Sequence, residues 1–236
     1  MVLQGLLLDS FRFFRSHLLS LLLIIVPVVF PVEFFRASYS ATLAGAEETF
    51  LTQWPSLLLG LLVYPIHAGG VIFFIASEVS GTRLKARSCW LLGLRFWWPF
   101  LLLSLLLGIA TALGFLLFIV PGVIALGRLS FAEFDLLLNH NSPPDALRHS
   151  WDETVPYFWL IVGGYLVIFA AFLVPYFGLV FVLEDLSPEL GIFEVILDTL
   201  YAVLSSLFTI FRFRVYFLAK ERRNLGLRPE MYDDSA

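Results

Sequence analysis

The chain has 236 residues, 59% of them hydrophobic and 14% charged, where a soluble domain carries roughly 25% charged. The apolar excess has lipid as its natural destination. About six spans of some 20 residues each would use roughly half the length and leave only short loops, so no polar stretch is long enough for a second, soluble domain. The net charge is −4, and the single cysteine, Cys89, excludes an internal disulfide and a multi-cysteine metal site. The basic clusters are too short for nucleic acid.

Residues 1–16 read as an amphipathic interfacial helix, with Leu3, Leu7, Phe11, Phe14 and Leu18 at helical spacing and Gln4, Arg12 and Arg15 facing elsewhere. The alternative is a plain extension of the first span, 18–35. That span could also serve as a secretory signal core, with Ser38 and Ser40 near a cleavage site. The long amphipathic lead-in and the prolines Pro27 and Pro31 favour a retained span. An acidic outer loop leads to span two (55–76), interrupted by Pro65. A basic inner loop with Arg83, Lys85, Arg87 and Arg95 follows, with Trp90, Trp97 and Trp98 as interfacial anchors.

Span three occupies 99–120, and Pro121-Gly122 reads as a turn dipeptide. Span four (123–138) is short and carries Arg128, Glu133 and Asp135. After it, Ser142 as N-cap, Pro143 at the first helical position and Asp145 in the first turn predict a short helix. Leu147 and Trp151 would form its apolar face. Span five runs 157–182, interrupted by Pro175. A second acidic outer loop precedes span six (195–218) and a cytoplasmic tail, 219–236. The expected fold is an all-α, polytopic membrane protein: one membrane domain over 1–236.

Every Lys and Arg except Arg36 and Arg128 falls on one side of this pattern. Basic residues in short loops stay cytoplasmic, so an even number of spans places both termini inside. Cys89 would then lie beside the cytoplasmic face and remain reduced. The opposite side collects Glu33, Glu47, Glu48, Glu184, Asp185, Glu189, Glu194 and Asp198.

Charges within a span cost about 2.5–3.5 kcal/mol each on insertion scales, so they usually face protein or a wet cavity. Arg128 and Asp135 are seven residues apart, which on an unbroken helix aligns them on one face. Glu133 needs a separate partner. Arg128 with Asp198, or Arg212 or Arg214 with Glu133 or Asp135, are the geometrically open pairs. The functional reading is a polar pathway or headgroup site, and the plain one is a structural ion-pair network. A lone intramembrane His67 reads first as a donor to a neighbouring helix. Gly69 and Gly70 beside it, and Gly108 between Ser104 and Ala112, read as close-packing positions.

No Gly-x-Ser-x-Gly, His-Glu-x-x-His, phosphate-binding glycine loop or Cys-x-x-Cys is present. His149 and Ser150 are adjacent and point in different directions on a helix, so they make a poor base–nucleophile couple. The expectation is a non-enzymatic protein with no cofactor. Its expected partners are membrane lipids, together with another membrane protein or a second copy of itself.

Five stretches carry a resemblance. They are Ala68-Gly69-Gly70-Val71-Ile72, Val120-Pro121-Gly122-Val123-Ile124, Arg128-Leu129-Ser130-Phe131-Ala132, Ala146-Leu147-Arg148-His149-Ser150-Trp151 with Thr154, and Phe211-Arg212-Phe213-Arg214-Val215-Tyr216. In order and spacing over about residues 60–220, they resemble the YciC-like family of bacterial inner-membrane proteins and its wider six-span relatives. The resemblance implies a multi-pass inner-membrane protein, Pro121-Gly122 as a hinge, and Arg128 as a recurrent residue of span four. It implies no reaction, and Glu133 and Asp135 lie outside the pattern. Two functions follow as expectations. One is envelope homeostasis through lipid or partner binding or membrane-protein assembly. The other is a small-molecule or lipid transporter using the intramembrane charges.

Overall fold

The computed structural model describes residues 2–42, 50–186 and 191–225. The acidic loop residues Glu47, Glu48 and Glu189, and the tail beyond residue 225 with Arg228, lie outside the described residues. Among the described residues there is no β-strand. Among the described residues five helical stretches are long and apolar enough to cross a membrane: Leu18–Thr42, Gln53–Val79, Trp97–Leu117, Val155–Phe181 and Ile192–Asn224. Large apolar side chains on them are exposed, among them Leu19 (77%), Leu116 (83%) and Trp159 (80%). In water such a surface would aggregate, and in lipid it is the expected exterior. The fold is all-α and polytopic, and the chain is a multi-pass membrane protein.

The helices are α1 (Val2–Ser16), α2 (Leu18–Thr42), α3 (Phe50–Val79), α4 (Ala86–Arg95), α5 (Trp97–Leu117), α6 (Ile119–Arg128), α7 (Ala132–Asn139), α8 (Pro143–Glu153), α9 (Phe158–Ile168), α10 (Val174–Leu186) and α11 (Gly191–Asn224). They divide into two compact units. The first comprises residues 1–16, 96–167 and 208–236, and the second comprises 17–95 and 168–207.

In the second unit α2, α3 and α4 pack on one another. Small residues let them approach. A Cβ on Gly70 would stand 3.3 Å from Ile24 Cγ2 and 3.7 Å from both Trp90 Cδ1 and the Cys89 carbonyl. One on Gly93 would meet the Ile66 carbonyl oxygen at 2.8 Å. Gly69 beside Gly70 is buried. Trp90 Nε1 donates to the Ile24 carbonyl at 2.9 Å, next to the Leu23 carbonyl that Pro27 leaves without its helical donor. Helices α2 and α3 nonetheless run through Pro27, Pro31 and Pro65. Pro175 is accommodated differently: a π-helical turn at Phe169–Leu173 directly precedes it, widening the ladder where its ring would strike the carbonyl four residues back. Cys89 is fully buried, and burial pushes its thiol up to about 11.

In the first unit α5 and α6 form a tight hairpin that reverses at one extended residue, Phe118 (φ −171°, ψ 164°). The turn therefore lies three residues before the expected dipeptide. Pro121 and Gly122 sit inside α6, where a first-turn proline removes a donor that has no helical acceptor. Gly122 is a contact position instead: a Cβ there would run into the Phe115 ring, and one on Gly114 would fall 2.9 Å from Gly122 Cα. Gly108 differs, since among the described residues nothing lies within 4 Å of a Cβ built on it. No described helix approaches closely at this position.

The expected fourth span, 123–138, is not one helix. It is α6 and α7 joined by a turn at Leu129–Phe131. Together they return along α5, and the His140 ring after α7 stacks on Phe96 just before α5, with centroids 5.1 Å apart and planes at 3°. At the unit's edge α1 lays Leu3 against Gly163, and Arg214 of α11 stands over Phe13 at 5.5 Å.

Candidate functional site

The turn inside the returning leg organises the polar chemistry of the first unit. Gly127 precedes it, and Ser130 Oγ donates back to the Leu126 carbonyl at 2.6 Å, a local bond that bends helices. The break leaves the Arg128 carbonyl and the Phe131 N–H without their helical partners. Both are captured by α8. Ser150 Oγ donates to the Arg128 carbonyl at 2.8 Å and accepts from Phe131 N–H at 3.0 Å. Thr154 Oγ1 shares its single proton between the same carbonyl at 2.9 Å and the Ser150 carbonyl at 2.7 Å. Hydroxyls have thus entered the helical ladder, a recognised cause of kinks.

Helix α8 begins as its sequence predicts, with Ser142 Oγ accepting from Asp145 N–H and prolines in the first turn. Its buried face, however, is Ala146, Ser150 and the following Thr154. Trp151, on the apolar face expected with Leu147, is 42% exposed.

The acidic residues of α7 turn inward. Glu133 Oε2 stands 2.7 Å from Arg212 Nη2, both side chains largely buried, and the Arg212 guanidinium lies 5.6 Å from the Phe134 ring centroid. Tyr165 OH is 3.0 Å from Ser130 Oγ and also interacts with Arg212. Asp135, 5% exposed, accepts from Asn139 Nδ2 at 2.6 Å and Asn141 Nδ2 at 2.8 Å, and His149 Nδ1 is 3.2 Å away. Asn139 also donates to Tyr216 OH at 3.0 Å and accepts from Lys220 Nζ at 3.2 Å. Arg223 closes the cluster on Glu153 at 2.6 Å.

Arg128 stands apart from these acids. The break separates it from Asp135, so the seven-residue alignment expected of an unbroken helix does not arise. Its guanidinium lies 4.9 Å from the Trp151 ring centroid, and its buried Nε has no hydrogen-bond partner. Among the described residues it makes no ion pair.

The other two expected polar residues belong to the second unit. Asp198 is within electrostatic reach of Arg36 and Glu33, which pair with each other at 2.8 Å. His67 meets the edge of Tyr64 on its own helix, and its buried Nδ1 has no hydrogen-bond partner. The expected donation to a neighbouring helix is absent at that nitrogen.

Asn139, Asn141 and Tyr165 escaped the sequence reading, and Ser130, Thr154 and Tyr216 entered it only as parts of the resembling stretches. One signal was available, because Ala146, Ser150 and Thr154 recur at four-residue intervals as a narrow, small face that suits a close backbone contact. Among the described residues no three His, Cys, Asp or Glu side chains gather as a metal site. The chemistry on view is ion pairing and hydrogen bonding, with the Arg128 guanidinium outside the ion pairs. No protein-family model, curated protein or solved structure matches this chain.

Proposed function

We propose that this chain is a non-enzymatic, multi-pass protein of a bacterial inner membrane. In this reading it serves envelope homeostasis by binding lipid or a partner protein or by helping membrane-protein assembly. The observation that carries it is the internal use of the acids in the broken leg. Glu133 is taken by Arg212 and Asp135 by Asn139, Asn141 and His149, so neither stands ready for proton relay. Ser150 spends its hydroxyl on backbone groups of the break, which speaks against a nucleophilic role.

Three of the five stretches behind the YciC-like resemblance meet at this one place: 128–132, 146–154 and 211–216. Support for cytoplasmic termini comes from the one-sided distribution of Lys and Arg and from Arg214, near the end of the chain, standing over Phe13, near its start.

The test is gentle extraction of the full chain followed by native mass spectrometry and identification of copurified proteins. Retained lipid or a stoichiometric partner is expected, and finding neither would sink the reading.

A transporter or lipid translocator is the second reading, favoured by the broken leg and the π turn in Val155–Phe181, features that discontinuous transporter helices share. Flux or lipid scrambling by the reconstituted protein, lost on Arg128→Gln, would bring it to the front.

A further inference from the structure

We propose that Arg128, held over Trp151, is a binding site for the phosphodiester of a phospholipid headgroup. This rests on the lipid-binding arm of the function proposed above and names its site.

Five observations lead there. The guanidinium carries a permanent charge and five donors in a planar fork that matches a phosphate bidentately. Among the described residues it has no carboxylate and no hydrogen-bond acceptor, and its Nε is buried. The acids close to it in sequence are committed elsewhere, Glu133 to Arg212 and Asp135 to its amide donors and His149. The backbone carbonyl of Arg128, which a cation at a helix C-terminus could otherwise serve, is already satisfied by Ser150 and Thr154. Finally, the side chain is fixed in place by stacking on Trp151, so little conformational freedom is lost when a ligand arrives.

The surroundings favour a lipid over a soluble oxyanion. Trp151 is 42% exposed, and Val155 and Trp159 follow at four-residue intervals, also exposed. Tryptophan concentrates at the headgroup level of a bilayer, and the apolar residues after it offer a surface for acyl chains. Arg214 makes a useful contrast. It too lacks an ion pair among the described residues and stands over a ring, but that ring, Phe13, is buried. Arg128 is the one whose ring partner opens to the exterior.

The experiment titrates phosphatidylglycerol onto the delipidated full chain in detergent and reads bound lipid by native mass spectrometry, with wild type, Arg128→Gln, Arg128→Lys and Trp151→Ala in parallel. The proposal expects Arg128→Gln to weaken the tightest lipid tenfold or more. Arg128→Lys, which keeps the charge without the fork, should be intermediate, and Trp151→Ala should be several-fold weaker. If Arg128→Gln fails to fold, the exposed Trp151→Ala decides, and unchanged binding in it overturns the site.

Equal lipid retention by wild type and Arg128→Gln also overturns the site while leaving a lipid-binding protein in place. Absence of lipid on every variant removes the lipid-binding arm itself. Displacement of the lipid by millimolar inorganic phosphate, lost with Arg128→Gln, would assign the site to a free oxyanion and overturn the lipid.

Discussion

The second unit holds its helices by letting backbones nearly touch, as α5 and α6 also do, whereas the first adds a cluster of buried polar groups around its broken leg. Around Gly70 and Gly93 the contacts are carbonyls, aliphatic carbons and one indole N–H. Around the break at Leu129–Phe131 they are an ion pair, three amide or imidazole donors on one carboxylate, and two hydroxyls on one carbonyl. The difference follows from helix continuity. An unbroken membrane helix satisfies its own backbone, so its neighbours need only fit in shape. A broken one presents orphan donors and acceptors, and these recruit polar side chains that must in turn be satisfied. Shape errors should therefore be tolerated or absorbed in one region, and charge errors should be punished in the other.

The sharpest way to break this contrast is to remove half of the buried ion pair. Glu133→Ala or Arg212→Ala should each cost about 3–5 kcal/mol by leaving a buried charge alone, read as a large fall in Tm in detergent. The double change Glu133→Leu with Arg212→Met should recover much of it. Singles that unfold like wild type would show that the polar cluster does not hold the unit.

Next in size is Ser150→Ala, which orphans Phe131 N–H while Thr154 still serves the Arg128 carbonyl. A loss of about 1–3 kcal/mol is expected, with Thr154→Val smaller because Ser150 remains. Hydrogen exchange at Phe131 should rise in the first variant and stay low in the second.

Gly93→Ala probes the other region. Its Cβ would meet a backbone oxygen, which cannot rotate away, so overpacking of about 1–3 kcal/mol is expected without loss of the α7–α8 network. At Gly108, which has open space, alanine should change thermal stability by no more than about 1 kcal/mol, toward stabilisation, because alanine is the better helix former. If Gly108→Ala is as damaging as Gly93→Ala, close approach is not what distinguishes these glycines.

Much of the architecture was legible because it depends on local composition. Hydropathy located the long apolar helices, and the Ser142-Pro143 start of α8 followed from capping chemistry. The amphipathic pattern of residues 1–16 matches a separate helix, α1, that ends one residue before α2. The fourth leg was readable as unusual, being short and charged, but its internal break was not. Pro121-Gly122 drew attention as a turn, yet both residues fit a helix, and the reversal falls at Phe118, which carries no turn signal. Leu147 and Trp151 were legible as an apolar face, but the buried face of α8 is the small one of Ala146, Ser150 and Thr154. In a protein whose exterior is lipid, apolar residues are free to point outward and small polar ones inward.

The sequence by itself determined the class of the protein, the helical spans and the sign of their flanking charges, because transfer of apolar surface to lipid is additive along the chain. Only the tertiary structure decided which charges meet: that Arg212 takes Glu133, that Asp135 is held by amides and an imidazole, and that Arg128 is left facing an indole. Such pairings depend on distances across separate helices. A single backbone break at Leu129–Phe131 takes away the helical register from which they would otherwise be inferred.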